Sequence, residues 1–262
     1  MSDTSSSSVS PSASPSVDLP TPTRVLAIGA HSDDVEFGCG ATLAKWAAAG
    51  ATVQILVLTD GSKGTWDPDA DLAALVATRR REQDAAAAVL GVDGVEILDW
   101  PDGELGSGLA ERARVCEAIR RARPEVVLGH DPWKRYRLHS DHRHAGWLLL
   151  DGVVAARDHH YFPDQGLPAH RPGRLLLFEA EVIDHLERVD RFVDTKIRAL
   201  LCHRSQWRST MGIDTDGLVE GETPEQNTQL EGFVGRVRGE AEATGRGAGI
   251  GPAEGFKLLD KV

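Results

Sequence analysis

The chain reads as α/β and Rossmann-like, a mostly parallel sheet with helices on both faces. Three observations carry this: short apolar runs alternate with longer helical segments, the runs are continuously apolar rather than alternating, and turn-forming residues separate them. RVLAIGA (24–30) is an apolar run ending in a polar turn, as a buried strand does. EFGCGATLAKWAAAG (36–50) is a helix closed by Gly50. TVQILVLT (52–59) is the second strand, and DGSKGTWDPDAD after it is a loop rich in turn residues. LAALVATRRREQDAAAAVLG (72–91) is a helix ending at Gly91, and VEILD (95–99) a strand. LAERARVCEAIRRAR (109–123) is an amphipathic helix, EVVLGH (125–130) a strand, and HSDHRHAGWLLLDGVVAARD (139–158) a helix with a polar start. RLLLFEAEVI (174–183) reads as a strand and DTKIRALLCHRSQW (194–207) as a helix; the pattern is weak over 159–174 and from 208 onward. Residues 1–22, rich in Ser and Pro, are expected to form a disordered tail ahead of one domain over 23–262.

Lys and Arg number 29 against 40 Asp and Glu, a formal charge of -11. That balance argues against nucleic acid or an anionic membrane as partner. The run RRR at 79–81 is followed by Glu82 and reads as a helix face. No stretch approaches the roughly 18 apolar residues of a membrane span, and the N-terminus has neither the basic nor the apolar region of a secretory signal. Cys39, Cys116 and Cys202 are odd in number and widely spaced, which fits a reducing cytosol better than a disulfide framework. The expectation is a cytoplasmic protein with a small-molecule partner and no nucleic acid or membrane; a homo-oligomer stays open.

Two strand ends carry unusual chemistry. His31, Asp33 and Asp34 follow the first strand; His139, Asp141, His142 and His144 follow the fourth across a short loop. Ligands of doubly wound sheets bind beyond the carboxyl ends of the strands, so both clusters belong to one crevice. His31 and Asp34 are three apart, as are His139 and His142, so each pair can face one point. Two imidazoles and one carboxylate with open positions make a catalytic metal site, and Asp33 is then free as general base. The competing reading of the first cluster is a helix cap, which accounts for one aspartate but not for the histidine. His144 falls on another helix face, and His130, His159, His160, His170 and His185 read as core or surface residues. Trp66 and Trp133 lie in loops, where they can stack on a ligand or pack.

AHSDDVE (30–36) and HSDH (139–142), in that order, resemble the two signatures of the PIG-L/LmbE-like deacetylase family. GATLAKWAAAGATVQILVLTDGSKG, RRREQDAAAAVLG, LDWPDGEL and KIRALLCHRSQW extend the likeness over residues 23 to about 207, with GPAEGF a looser match beyond. The resemblance implies Zn2+, or another divalent metal such as Fe2+, on His31, Asp34 and His142, with Asp33 as base. It implies His139 as the group that protonates the leaving amine or stabilises the oxyanion, and Asp141 as the aspartate that orients a histidine. Arg79 and Asp102 would bind substrate, and His203 would stand behind the site. The implied reaction is removal of acetyl from an N-acetylated amino sugar. Ser32 replaces the family's usual proline, which would stiffen the turn, and Ser140 replaces another. A non-haem iron enzyme, another metal amidase and a non-catalytic metal-binding module are the alternatives; no GxGxxG or GKS/GKT phosphate loop follows the first strand.

Overall fold

The computed structural model describes residues 14–214 and 228–262. The strands are β1 (Ser16–Val17), β2 (Arg24–Gly29), β3 (Thr52–Thr59), β4 (Gly94–Trp100), β5 (Val126–His130), β6 (Arg174–Phe178), β7 (His185–Arg188) and β8 (Ala253–Asp260). The α-helices are α1 (Asp34–Ala48), α2 (Leu72–Leu90), α3 (Leu109–Ala122), α4 (Ser140–Ala156), α5 (Val193–Leu200) and α6 (Thr228–Arg246). The sheet order is β1-β7-β8-β6-β5-β2-β3-β4. All pairs are parallel except β8 with β6 and with β7.

The continuous apolar runs have a direct reason. Val25 and Ala27 of β2 pack with Val35, Leu43 and Trp46 of α1 on one face. Leu26 and Ile28 pack with Val115 and Ile119 of α3 and Leu148 and Val153 of α4 on the other. Side chains alternate across a strand, so covering both faces demands apolar residues at every position.

β2 lies between β3 and β5, and the chain order runs in opposite directions from it. This switch point opens a crevice at the carboxyl ends, the place where such sheets bind ligands. The loops after β2, β3, β4, β5 and β6 all reach that end.

The expected helix over 36–50 is broken. Cys39 leaves helical geometry at φ -152 and ψ 17. Buried Glu254 of β8 repairs the break by accepting from the amides of Ala41 (3.2 Å) and Thr42 (2.7 Å). Lys196 of α5 donates to the Phe37 carbonyl (2.6 Å) and to Glu254 (2.7 Å). The first turn of α1 is therefore a separately held piece.

Three other expectations are corrected. The tail is shorter than 1–22: Ser16 and Val17 pair with His185 and Leu186, and Asp18 binds Lys45 and Arg188, because β7 offers an open edge. Residues 1–13 lie outside the described part. The helix over 194–207 ends at Leu200, and short turns over Arg204–Gln206 and Trp207–Met211 follow. The weakly patterned C-terminal region contains α6 and β8, with 215–227 outside the described residues.

Glu254→Ala should destabilise the fold by about 3–5 kcal/mol, because it leaves the Lys196 ammonium and two helix amides without their partner. Urea unfolding measures this; a loss under ~1 kcal/mol would mean that the break in α1 closes on its own.

Candidate functional site

β2 ends at Gly29, and the chain turns through His31, Ser32 and Asp33 into α1. Asp33 sits at the helix N-cap in the left-handed region, φ 91 and ψ -26. For a residue with a Cβ this conformation costs about 1–3 kcal/mol, held by its surroundings. Its side chain caps nothing, so the cap reading fails for Asp33. The Asp34 Oδ2 accepts from the His31 amide at 2.7 Å, which closes the turn.

The two clusters meet as the sequence led us to expect. His31 Nδ1 lies 3.3 Å from His142 Nε2 and 3.4 Å from Asp34 Oδ2; His142 Nε2 lies 3.2 Å from Asp34 Oδ1. Donors about 2.0–2.1 Å from a tetrahedral metal stand roughly 3.3–3.4 Å apart, so the three residues fit one ion. The charge argues the same way. Asp33, Asp34, Asp102 and Asp141 are all buried at this crevice, a concentration of carboxylates suited to a cation.

His31 is oriented from behind. Its Nε2 lies 3.0 Å from Asp102 Oδ1 and 3.3 Å from Asp141 Oδ2. A proton on Nε2 satisfies those carboxylates and leaves the Nδ1 lone pair for a metal. The histidine that the Asp141 carboxylate meets is thus His31. Asp141 also accepts from the Gly103 amide at 2.7 Å, and Asp102 from the Lys63 amide at 3.1 Å.

His139 is the N-cap of α4, its Nδ1 accepting from the Asp141 amide at 3.3 Å. Its ring is exposed at the mouth, edge-on to His31 at 4.6 Å between centroids. Arg79 is buried, with Nη2 donating to the Ser32 carbonyl (2.7 Å) and Nη1 to the Gly61 carbonyl (3.1 Å). His203 is fully buried behind the site, 3.8 Å from Glu36. His144 turns away to Ser107.

His130 is the residue that sequence reasoning misjudged. It closes β5 beside β2, and its Nε2 lies 3.1 Å from Asp34 Oδ2. Its Nδ1 lies 3.1 Å from Glu179, which also pairs with Arg137. The signal was its position: a histidine at the carboxyl end of a strand next to the one that carries His31. Glu179 and Arg137 had no local signal. Burial opposes ionisation of Asp34, yet His142 and His130 hold its carboxyl well below the ordinary range. Burial pushes the Asp33 carboxyl up to about 6, against the pull of Arg79 and His203.

His31, Asp33, Lys63, Trp66, His139 and Gln206 are among the walls of a cavity of about 400 Å³. A second hollow of about 500 Å³, bordered by Arg204 and Arg208, shares Thr65, Trp66 and Ser209 with it. Trp66 is 75% exposed at the junction, whereas Trp133 packs on Trp147. No helix among the described residues is long and apolar enough to cross a membrane.

Residues 26–152 match the family model described as PIG-L: GlcNAc-PI de-N-acetylase. Diacetylchitobiose deacetylase of Thermococcus kodakarensis is 34% identical over 187 residues, covering 70% of this chain and 70% of that one. The 1D-myo-inositol 2-acetamido-2-deoxy-alpha-D-glucopyranoside deacetylase of Kineococcus radiotolerans is 33% identical over 173 residues, 53% of this chain and 46% of that one. The solved N,N'-diacetylchitobiose deacetylase of Pyrococcus horikoshii superposes with a TM-score of 0.80 at 27% identity, covering 92% of this chain and 85% of that one. The 4-carboxy-2-hydroxymuconate hydratase GalB of Pseudomonas putida shares the fold at TM-score 0.71 and 23% identity, covering 90% and 96%. The fold alone therefore does not choose the chemistry.

Asp141→Asn should weaken divalent-metal binding by about 10–100-fold, since it removes one of the carboxylates that orient His31. Competition with a chelating dye measures this; unchanged affinity would leave Asp102 as the sole orienting group.

Proposed function

Because the chain belongs to the PIG-L family of de-N-acetylases, we propose that it is a zinc-dependent hydrolase that removes acetyl from an N-acetylglucosamine-type conjugate. One observation carries this reading. His31, Asp34 and His142 converge as a donor set, while Asp33, a second buried carboxylate, lines the same cavity outside that set. A module that only stores a metal has no use for that extra carboxylate. A proton acceptor beside a metal-held water is what amide hydrolysis requires.

His31, Asp34 and His142 would hold zinc, which when bound polarises the acetyl carbonyl and acidifies water. Asp33 takes the proton of the attacking water on its carboxylate. Asp102 and Asp141 keep the His31 proton on Nε2. His139, at the mouth, gives a proton to the nitrogen as the C–N bond breaks. Water and the acetamide become acetate and a free amine. Arg79 and Asp102 border the cavity where the sugar would lie. The adjoining hollow past Trp66 gives room for the rest of a conjugate.

Iron(II) suits the same two-histidine, one-carboxylate set, and elemental analysis of the purified protein distinguishes it from zinc. The test of function is amine release from a panel of N-acetylated glucosamine conjugates. Wild-type protein should release amine. Asp33→Asn should keep its metal and lose about 10²–10⁴-fold in rate. Wild-type protein inert on every conjugate, or Asp33→Asn as fast as wild type, would sink the proposal. Trp66→Ala should raise KM for two-ring conjugates by roughly 3–10-fold with little change in kcat, the size expected of one lost aromatic contact.

A further inference from the structure

We propose that Arg79 and Gln83 form a clamp on the Ser32–Asp33 peptide that holds the base Asp33 in place, and that Glu36 sets the sense of that clamp. The inference rests on the reading of Asp33 as the base. Arg79 and Gln83 are four apart on α2 and present one face. Arg79 Nη2 donates to the Ser32 carbonyl at 2.7 Å, and Gln83 Oε1 accepts from the Asp33 amide at 3.2 Å. These are the two polar groups of a single peptide unit. The unit leads directly into the left-handed Asp33, so the peptide plane from which the Asp33 φ is measured is gripped from one helix.

The chemistry of the partners fixes which way the Gln83 amide points. The Asp33 N–H can only donate, so it must meet Oε1. Gln83 Nε2 can only donate, and Glu36 Oε1 accepts from it at 2.6 Å. Glu36, three residues past Asp33 on α1, therefore closes a ring from Asp33 through Gln83 back to the same helix. Glu36 and Gln83 are fully buried, and Arg79 nearly so. In so dry a setting an unmade bond is costly, which makes the arrangement stiff.

The loop after β3 is shaped around the guanidinium. A Cβ on Gly64 would stand 2.1 Å from Arg79 Nη1, and one on Gly61 2.9 Å from Arg79 Nε. With two carbonyls already bound, Arg79 acts as a positioning residue, and so does Gln83. Neither is needed to touch the reacting atoms for this role.

The test is a swap. Gln83→Glu puts a carboxylate against Glu36 and breaks the ring; Glu36→Met alone removes the acceptor for Gln83 Nε2. The double variant Glu36→Gln/Gln83→Glu restores one donor and one acceptor at each contact, with the charge moved across. Gln83→Met serves as an uncharged break where a buried charge prevents folding. Rates on an N-acetylglucosamine conjugate are read together with hydrogen exchange at the Asp33 amide. We expect kcat of the single variants to fall on the order of 10²-fold with KM little changed, as for a misplaced reacting group. Exchange at Asp33 should speed up, and the double variant should recover both. Folded Gln83→Met with wild-type kcat overturns the proposal, as does faster exchange without loss of kcat, or a folded double variant no better than the worse single one. Should wild-type protein release no amine, the assignment of function fails, while exchange at Asp33 still reports the clamp.

Discussion

The parallel pairing of β2 with β5 is the contact on which everything at the site depends. Four residue pairs, from Val25 with Val126 to Ile28 with Gly129, set the end of β2 beside His130. His31 and Asp34 come from one side of that junction, and His130 and His142 from the other. A slip of one residue would move one set by about 3.3 Å, as large as the spacing between the donors themselves. Polarity does not guard this register, because both faces of β2 are apolar. Shape does: Val25 and Ala27 meet the Trp46 ring and Leu43, whereas Leu26 and Ile28 meet aliphatic side chains of α3 and α4.

Within the crevice each aspartate is compensated by a different device. Asp34 faces three imidazoles and a backbone amide. Asp102 and Asp141 share His31 and each accept from a loop amide. Asp33 pairs with Arg79 only at 4.0 Å. The guanidinium makes its closer contacts with carbonyls. Weak compensation under full burial explains why Asp33 is the carboxylate pushed upward while its neighbour is held down. In the proposed mechanism the difference between a ligand and a base is thus made by partners, since the two residues are adjacent and chemically identical.

The layout was legible in the chain because each strand is a short continuous apolar run and each helix has a clear end, as at Gly91. The donor set was legible because His31 with Asp34 and His139 with His142 each repeat within one turn. What escaped has physical reasons. His130 is a lone histidine in sequence, and only strand adjacency gives it meaning. The break at Cys39 lies in a stretch of good helix pattern and is stabilised by Glu254, more than two hundred residues away. The tail looked disordered because its ordering comes from β7's edge and from the Asp18 contacts, with little of its own apolar content. Gln83 carries no local signal, and its value lies in a partner on another helix.

Glu254 also ties the site to the order in which the chain is made. β8 lies between β6 and β7, yet it emerges from the ribosome after both. Until then β6 has an open edge, and the second half of α1 has no acceptor for the amides of Ala41 and Thr42. The second half of α1 is therefore completed only when β8 joins the sheet.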